Sequence, residues 1–286
     1  MKSIGFIGTG VMGCAMAENL MKNGFQLYVY TRTREKARPL TELGAHWCET
    51  AAQCAAGRQA VITMVGYPRD VEEVYFGSSG IIAAADRGTY LIDMTTSDPL
   101  LAQRIFAAAG ERGLHALDAP VSGGDTGARA GTLSIMVGGE KAAFDACGEL
   151  FRAMGKTIIH EGAAGCGQHT KMANQIAISG AIAGVCEAIA YGRDKGLDLQ
   201  TMLNSIGSGA AGSFQMTYNG QKIINGDNSA GFFLKHFVKD MTIAASSAQA
   251  DGLTLPVLEQ VLSMYKKLEE RGLGQAGTQA LIEYYK

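Results

Sequence analysis

The sequence lacks an excess of charge of either sign. Its 286 residues include 25 lysines and arginines against 27 aspartates and glutamates, so the formal net charge is −2. Binding to nucleic acid or to an anionic membrane needs clustered positive charge, so this balance argues against both partners. Hydrophobic residues make up 47% of the chain, enough for the cores of two domains or of one large domain.

Metal-binding patterns are missing as well. The five histidines form no H-x-x-x-H or H-x-H group, and the six cysteines form no C-x-x-C pair. We therefore expect no metal site. The cysteines are expected to act as small apolar residues in a reducing compartment, the cytoplasm. They are Cys14, Cys48, Cys54, Cys147, Cys166 and Cys186.

Neither an export signal nor a membrane span is convincing. The N-terminal apolar run follows one lysine, as in a signal peptide, but glycines interrupt it at positions 8, 10 and 13. The most apolar long stretch, residues 176–191, is short for a bilayer and contains Glu187. We expect this stretch to form a buried core helix.

A glycine motif near the N-terminus carries the first functional signal. Residues Gly8 to Gly13 read GTGVMG and match G-x-G-x-x-G. A strand-length apolar run precedes them, a stretch with helical periodicity follows, and residues 27–30 are typical of a second strand. This arrangement is the one found at dinucleotide-binding sites. The alternative is a glycine turn that binds nothing, and the position between strand and helix favours the binding site.

Each glycine of the motif has its own physical role. Gly8 permits a tight turn after the strand, Gly10 leaves room for a pyrophosphate, and Gly13 lets the helix pack closely against the sheet. The first helical residues, Val11 and Met12, then present backbone N–H groups and the positive end of the helix dipole to the phosphates.

The end of the second strand favours NADP over NAD. An NAD site usually carries an acidic residue here, which accepts a hydrogen bond from the ribose 2′-hydroxyl. This sequence has Thr31, Arg32, Thr33 and Arg34 instead, and the first acid is Glu35. Arginine matches phosphate oxygens with two N–H groups, so the segment suits a 2′-phosphate. A solvated loop with incidental charge is the alternative. We expect NADP as the cofactor, with NAD possible.

The order of predicted elements indicates the fold. Strands alternate with helices to about residue 160, which predicts a mostly parallel, doubly wound sheet. Single helices are expected at 34–43 and 140–154, and no strand is expected beyond Glu161. The fold class is therefore α/β, with an N-terminal Rossmann-type domain at 1–162 and a C-terminal all-helical domain at 163–286. The helical domain is expected to bind substrate and to oligomerise, with the ligand cleft between the domains.

A lysine and two amides open the first helix of the second domain. Lys171 and Asn174 are three residues apart, and Gln175 is four from Lys171, so the three share one side of the helix. This group suits catalysis or substrate binding. A lysine that extends its ammonium group to solvent at the domain junction is the structural alternative.

A second polar segment follows a predicted strand. Ser122, Gly123 and Gly124 offer a hydroxyl and backbone N–H groups, which suit a carboxylate. An ordinary turn from strand to loop is equally compatible with these residues.

Four motifs occur in order along the chain, namely GFIGTGVMG, DAPVSGG, GQHTKMANQ and FVKD. Together they resemble the β-hydroxyacid dehydrogenase family. It includes 3-hydroxyisobutyrate dehydrogenases, tartronate semialdehyde reductases and glyoxylate/succinic semialdehyde reductases. The resemblance covers the whole chain. It implies an NAD(P)-dependent 3-hydroxyacid dehydrogenase or semialdehyde reductase with a small carboxylate substrate, and a homodimer or homotetramer.

The resemblance also implies a role for individual residues. Lys171 is implied to be catalytic, and the substrate is implied to be held by Ser122, Gly123, Gly124, Asn174 and Gln175. The residues implied to lie along the cofactor are Thr96, Lys239 with Asp240 orienting it, and the backbone of Met64 and Val65. Gln175 replaces an asparagine that many members have, and residues 208–213 and 232–236 match no substrate-specific pattern. The substrate within the class therefore stays open.

The implied reaction is hydride transfer between the nicotinamide and a small aldehyde acid, with Lys171 exchanging a proton with the substrate oxygen. A free lysine has a pKa of about 10.4, so proton transfer needs a lowered pKa. Otherwise the lysine acts as a fixed cation beside the alkoxide. An imine reductase and a non-catalytic NADP-binding protein are the alternatives, and the retained Lys171 argues against both.

Overall fold

The computed structural model describes every residue from Met1 to Lys286. The chain divides into two compact units, Met1–Lys171 and Met172–Lys286, which we call the first and second units. The first unit contains the sheet, and the second unit is helical. The predicted class, a Rossmann-type sheet followed by a helical C-terminal region, is confirmed.

The first unit is built on a nine-stranded sheet in which most pairs are parallel. The strand order is 3-2-1-4-5-6-8-7, and strand 9 also pairs with strand 8. Only the pairs of strands 6 and 7 with strand 8 are antiparallel. The strands are β1 (Ser3–Ile7), β2 (Gln26–Tyr30), β3 (His46–Trp47), β4 (Ala60–Thr63), β5 (Tyr90–Asp93), β6 (His115–Asp118), β7 (Val121–Ser122), β8 (Leu133–Gly139) and β9 (Gly155–Gly162).

Both faces of the central strands are buried. Successive side chains of a strand point to opposite faces, so Phe6 and Ile62 join one apolar core while Ile7 and Val61 join another. Burial on both faces is typical of a parallel sheet covered by helices, and it explains why these strands read as continuous apolar runs in the sequence.

The helices of the first unit follow the predicted order, with some differences in detail. They are α1 (Val11–Lys22), α2 (Arg38–Glu42), α3 (Ala51–Ala55), α4 (Pro68–Phe76), α5 (Ile81–Ala84), α6 (Pro99–Glu111), α7 (Gly124–Ala130), α8 (Lys141–Ala146) and α9 (Gly148–Met154). The single helix expected at 34–43 is instead a 3-10 turn, Arg34–Ala37, followed by α2. Proline has no N–H and its ring clashes with the carbonyl four residues earlier, so Pro39 prevents a continuous α-helix from Arg34.

Two further differences occur where glycine is abundant. The helix expected at 140–154 is divided into α8 and α9 at Cys147, immediately before Gly148. Helix α7 was not expected, because its sequence GDTGARA contains two glycines, which disfavour helices. It begins after Gly123, whose φ of +133° favours glycine.

The second unit consists of helices around one apolar core. After β9 the chain forms α10 (Cys166–Asp194), whose first residues belong to the first unit. The remaining elements are α11 (Leu199–Gly207), a π-helix at Gln215–Asn219, α12 (Gly220–Ile224), α13 (Leu234–Ala250), α14 (Pro256–Glu270) and 3-10 helices at Leu273–Gln275 and Thr278–Tyr285. The only β pairing in this unit is an isolated bridge between Phe233 and Gly277.

Helix α10 is less buried than the sequence suggested. It is long and apolar enough to cross a membrane by length and composition alone, with a mean hydropathy of 1.3 over its most apolar window. Of that window, 39% is buried. One side, with Ile182, Cys186 and Ile189, is fully buried, whereas Tyr191 is 64% exposed. The expected core helix is therefore buried along one side, and its other side is partly exposed.

Candidate active site

The sheet order reverses beside β1, because β2 lies on one side of it and β4 on the other. Ligands of doubly wound sheets bind outside the carboxyl ends of the strands at such a reversal. The turn after β1 begins with Gly8, which has a φ of +98° and donates its N–H to Tyr30 O at 2.8 Å. The glycine motif therefore lies at the reversal point.

The three motif glycines occupy different surroundings. A Cβ on Gly13 would overlap the carbonyl oxygen of Gly8, so α1 packs against the turn only because residue 13 has no side chain. A Cβ on Gly10 would meet no atom within 4 Å. Gly10 therefore borders open space, which is the room that a pyrophosphate requires.

The N-terminus of α1 suits an anion. Gly10 is its N-cap and provides no side-chain cap, and the first turn contains no acidic residue. The N–H groups of the first helical residues, Val11 and Met12, have no acceptor within the helix. Thr9 is 2% exposed, and its Oγ1 has no hydrogen-bond partner. These features fit a dinucleotide, whose phosphates would accept from the helix N–H groups.

The segment after β2 carries an arginine held by an acid that the sequence did not reveal. Thr31 is half-buried, and Arg32 and Thr33 are exposed. The Arg32 Nη1 donates to Asp70 Oδ1 at 3.0 Å. The other carboxylate oxygen of Asp70 accepts from the N–H of Tyr67 at 3.1 Å, so Asp70 caps α4 and also orients Arg32. One of the five N–H donors of the guanidinium is used in this contact.

The strand on the other side of the reversal ends beside the glycine turn. Met64 N donates to Ile7 O at 2.9 Å, and Val65 N donates to Thr95 Oγ1 at 3.0 Å. Thr96, the next residue, is half-buried. The backbone of Met64 and Val65 thus lies beside Gly8 of the glycine turn.

A buried carboxylate at the end of β6 holds the start of α10. Asp118 Oδ1 accepts from Gly165 N at 2.8 Å, and Oδ2 accepts from Gln168 N at 2.9 Å. The first N–H groups of a helix lack internal acceptors, and Asp118 supplies them. Burial raises the pKa of Asp118, and the backbone N–H donors oppose that rise. A Cβ on Gly167 would lie 2.6 Å from Asp118 O, so glycine permits this close approach.

The side chain of Gln168 ties the same helix to the end of β5. Its Oε1 accepts from Ser97 N at 2.9 Å, and its Nε2 donates to Thr95 O at 2.7 Å. Gln168 itself is fully buried. Together with Asp118 it fixes the first turn of α10 against the carboxyl ends of two neighbouring strands. We call this group of contacts the α10 clamp.

Lys171 lies one helical turn after the α10 clamp, as the last residue of the first unit. It is 6% exposed. A lysine is rarely buried to this extent unless its ammonium group is paired or used. Because Lys171 is buried, the alternative interpretation of a lysine that extends its ammonium group into solvent is wrong.

The substrate segment predicted at 122–124 leads into α7. Ser122 ends β7 and is half-buried, Gly123 precedes the helix, and Gly124 begins it with a φ of +63°. The three residues therefore lie at a junction of strand and helix, where the first backbone N–H groups of the helix have no acceptor within it.

Within the second unit, Asp240 is the centre of a polar network. Its Oδ2 accepts from Gln175 Nε2 at 2.6 Å, and its Oδ1 lies 3.0 Å from Lys239 Nζ. Gln175 Oε1 in turn accepts from Asn174 Nδ2 at 2.7 Å. Asp240 and Gln175 are each 1% exposed. The network fixes the orientation of Asn174 and Lys239, which were predicted to contact substrate and cofactor.

Asp93, at the end of β5, is a second buried acid beside Asp118. Its Oδ1 accepts from Thr63 Oγ1 at 2.8 Å and from Thr95 N at 3.1 Å. Burial raises the pKa of Asp93 to about 6, against the lowering effect of these donors. A cavity of about 10 Å³, with room for about one water molecule, is lined by both acids and by apolar residues.

Two family models together match nearly the whole chain. Residues 3–162 match the NAD binding domain of 6-phosphogluconate dehydrogenase. Residues 165–285 match the NAD-binding domain of NADP-dependent 3-hydroxyisobutyrate dehydrogenase.

Individual relatives are similar over their full length. The chain is 37% identical to 2-hydroxy-3-oxopropionate reductase of Escherichia coli, covering 98% of this chain and 96% of the relative. It is 36% identical to NAD-dependent L-serine dehydrogenase of Pseudomonas aeruginosa, and the match covers 96% of this chain and 95% of the relative. A solved structure of Mycobacterium tuberculosis 3-hydroxyisobutyrate dehydrogenase with L-serine has a TM-score of 0.91 at 29% identity. The match covers 99% of this chain and 98% of that structure's chain.

The fold and the glycine turn at the sheet reversal define a nicotinamide-dependent oxidoreductase. More narrowly, the chain belongs to the β-hydroxyacid dehydrogenase family. It is an NAD(P)-dependent hydroxyacid dehydrogenase, an enzyme that acts on CH–OH groups. The resemblance inferred from the four motifs is confirmed at this level.

The raised pKa of Asp93 gives a testable dependence of stability on pH. The folded protein keeps this proton to about pH 6, whereas the ordinary value is 3.8. As pH rises from about 4 to 6, the unfolded chain releases the proton first, so the free energy of unfolding falls. It should fall by at most about 3 kcal/mol from this group and stay level above pH 7.

Urea unfolding at a series of pH values measures this effect as the difference between the wild type and Asp93→Asn. The matched control is Asp145→Asn, because Asp145 is an exposed acid paired with Lys141. The difference between the wild type and this control measures the effect of replacing an exposed carboxyl group, and the Asp93→Asn difference is compared with it over the same pH range. A wild-type minus Asp93→Asn difference that rises with pH, or stays constant, would contradict the assignment.

Proposed function

We propose that the enzyme uses NADP(H) to interconvert a β-hydroxy acid with a three-carbon backbone and its semialdehyde, with Lys171 Nζ exchanging the proton. The observation that carries the proposal is the buried position of Lys171, one turn after the α10 clamp and in the same unit as the glycine turn.

The choice of coenzyme rests on the segment after β2. No acid follows this strand to accept from a 2′-hydroxyl, and Asp70 presents Arg32 toward the same edge. The matched family model is described for an NADP-dependent enzyme. The Pseudomonas aeruginosa relative is NAD-dependent, so coenzyme choice varies among relatives and needs measurement.

The substrate class follows from what the relatives' names share. 3-Hydroxyisobutyrate, L-serine and 2-hydroxy-3-oxopropionate each have a carboxylate at C1 and an alcohol or aldehyde at C3. They differ at C2, where the substituent is a methyl, amino or hydroxyl group. We propose that Ser122, Gly123 and Gly124 bind the shared carboxylate, and that Asn174 and Gln175 contact the remaining polar groups.

The proton step belongs to Lys171. The nicotinamide, when bound, gives or accepts the hydride at the substrate carbon. During reduction Lys171 Nζ donates a proton to the developing alkoxide, and during oxidation it accepts the proton of the hydroxyl. A lysine that stays charged throughout would instead stabilise the alkoxide electrostatically. Substitution by arginine distinguishes these two roles.

Lys171→Ala should lower turnover by about 10²–10⁴-fold, the effect of losing a general acid or base. Affinity for NADPH should change little, because the glycine turn and residues 31–34 hold most of the dinucleotide. Lys171→Arg should also lose turnover, since arginine keeps its charge but does not release a proton near neutral pH.

Turnover with C3 semialdehyde acids and NADPH binding by fluorescence titration are the two measurements. Lys195→Ala is the control, because Lys195 is exposed and paired with Asp194, and it should behave as the wild type. If Lys171→Arg retains its activity, Lys171 acts as a fixed cation and does not transfer the proton. If Lys171→Ala retains its activity, Lys171 has no part in the mechanism.

Arg32→Ala should weaken NADPH binding by about ten- to a hundredfold, the loss of one charge-assisted contact, and should leave NADH binding nearly unchanged. Arg32→Asp should reduce or reverse the preference for NADPH over NADH, because it introduces the acidic residue typical of an NAD site. Dissociation constants for both coenzymes test this. The control is Arg38→Ala, an exposed arginine paired with Glu42. Equal affinity of the wild type for NADPH and NADH would refute the preference.

We also propose that a second copy of the chain covers the second unit, giving a homodimer or homotetramer. Apolar side chains are exposed there, including Tyr191 at 64%, Phe214 at 64% and Val257 at 62%. Val257 lies against α10, since its Cγ1 is 3.9 Å from a Cβ built on Gly180. The half-buried face of α10 and Val257 thus form one apolar surface.

Light scattering should give two or four times the mass of one chain. Val257→Glu should lower that mass, because a charge at a buried apolar contact lacks compensation. Leu43→Glu is the control, since Leu43 is 59% exposed but lies in the first unit. A wild-type mass equal to one chain at micromolar concentration would exclude the assembly.

A further inference from the structure

The side-chain amide of Gln168 bridges the two ends of a three-residue segment after β5. Its Oε1 accepts from Ser97 N at 2.9 Å, and its Nε2 donates to Thr95 O at 2.7 Å. Thr96, the residue that we expect along the cofactor, lies between these two contacts. Gln168 belongs to the motif GQHTKMANQ, but its partners are 71 and 73 residues away, so its role does not follow from the sequence.

Only one orientation of this amide fits both partners. An amide oxygen accepts hydrogen bonds and an amide nitrogen donates them, so the reversed orientation would place donor against donor and acceptor against acceptor. Gln168 is fully buried, so solvent does not compete for either contact. The side chain of Gln168 therefore has one fixed position relative to residues 95–97.

This three-residue segment is in turn attached to the strand that ends beside the glycine turn. Thr95 is 1% exposed, and its Oγ1 accepts from Val65 N at 3.0 Å. Val65 follows β4, and its Cγ1 would lie 3.1 Å from a Cβ built on Gly8. Consecutive hydrogen bonds thus connect Val65 to Thr95 and Thr95 to Gln168, which lies in α10.

The two parts of the α10 clamp resist different movements of the helix. Asp118 binds two backbone N–H groups, which lie close to the helix axis, so it mainly opposes movement along that axis. The amide of Gln168 lies at the end of a side chain, farther from the axis, so it mainly opposes rotation. Side chains reach about 5–6 Å from the axis, so a rotation of about 10° moves the end of a side chain by about 1 Å.

Such a rotation would move Lys171, which follows Gln168 by three residues and therefore lies on the same side of the helix. A proton passes between two atoms that are within about 2.6–3.2 Å of each other. A displacement of about 1 Å between reacting groups can lower a rate by about 10²-fold. The rotation of α10 is therefore a quantity on which the proton step depends.

We propose that Gln168 is a positioning residue for the proton step. Its amide fixes the rotation of α10 and so holds Lys171 Nζ where the substrate oxygen binds. The inference rests on the proton transfer proposed for Lys171. Gln168 acts through Lys171 and exchanges no proton itself, because a glutamine amide does not titrate.

A purely structural role for Gln168 predicts a different outcome. Ser97 N and Thr95 O would be buried without partners if the amide were lost, so stability should fall whether or not Gln168 positions the lysine. A measurement of stability alone therefore does not test the proposal. The test is whether the loss of turnover depends on Lys171.

Gln168→Met keeps the length of the side chain and removes both hydrogen bonds. With a C3 semialdehyde acid and NADPH, we expect kcat to fall about ten- to a hundredfold, because Lys171 is displaced from the reacting oxygen. The KM for the acid and the dissociation constant for NADPH should each change less than about threefold, since other residues are proposed to bind both molecules. An unchanged kcat, or a loss confined to KM or to coenzyme affinity, overturns the proposal.

The double variant Lys171→Ala/Gln168→Met separates the positioning role from the structural one. If Gln168 acts through Lys171, adding Gln168→Met to Lys171→Ala should lower kcat by less than about twofold, because the group that it positions is already absent. A further loss as large as the one in the enzyme that keeps Lys171 would mean that Gln168 acts independently, and the inference would be wrong.

Gln279→Met is the matched control. Gln279 is a glutamine of the second unit that is 2% exposed, and its Nε2 donates to Asp227 O and to Ser229 O, each at 2.9 Å. This variant also loses two contacts to backbone atoms, so its urea midpoint should fall as in Gln168→Met, whereas its kcat should match the wild type. An equal loss of kcat in the control would assign the effect to general destabilisation and refute the positioning role.

Gln168→Glu keeps the inference testable if the methionine variant does not fold. A protonated carboxyl group has the shape of the amide and makes both contacts, whereas a carboxylate cannot donate to Thr95 O. The ratio of kcat in this variant to wild-type kcat should therefore rise as the pH is lowered from about 8 to about 5.5. A ratio that does not depend on pH contradicts the proposal.

Lys171→Ala distinguishes failure of this inference from failure of the proposed function. If Lys171→Ala keeps its activity, the proposed proton transfer is wrong, and the positioning role is wrong with it. If Lys171→Ala loses its activity while Gln168→Met keeps the wild-type kcat, only the positioning role of Gln168 is refuted.

Discussion

The site of the first unit depends on one buried carboxylate, Asp118, and on the two backbone N–H groups that it binds. Without an acceptor at this position, the first turn of α10 would carry unsatisfied donors in a buried place, at a cost of about 1–3 kcal/mol for each. The carboxylate thus determines where the helix starts, and Gln168 determines its direction relative to β5. Lys171 has its position because both contacts are made within one turn before it.

The features that could be predicted from the sequence are those whose causes are local. The glycine motif, its strand and its helix lie within about thirty residues, and each glycine is explained by its immediate neighbours. The arginine segment after β2 is similarly local. By contrast, Asp70 lies 38 residues from the arginine it orients, and Asp118 lies 47 and 50 residues from the N–H groups it binds. A single sequence contains no signal for such pairings, beyond the fact that β5 and β6 both end in aspartate.

The errors in the predicted elements also have physical causes. Periodicity indicated one helix at 34–43, but the missing N–H of Pro39 limits the preceding segment to a 3-10 turn. Helix α7 could not be predicted from composition, because its glycines have low helix propensity and tertiary packing decides its conformation. For α10, apolar composition indicated a buried core helix, and the structure buries one side of it. Composition alone does not tell whether an apolar surface is covered within one chain or by a second copy.

The unbroken course of α10 from the clamp through Lys171 to the two amides determines their angular order. Each residue of an α-helix turns the chain by about 100° and advances it by about 1.5 Å. The angle between Lys171 and Asn174 is therefore a property of the peptide repeat, with no loop between them to absorb an insertion. Side chains along this helix can be exchanged while the angle between positions 171 and 174 is kept. A change of one residue in the length of that segment would rotate the amides by more than a quarter turn.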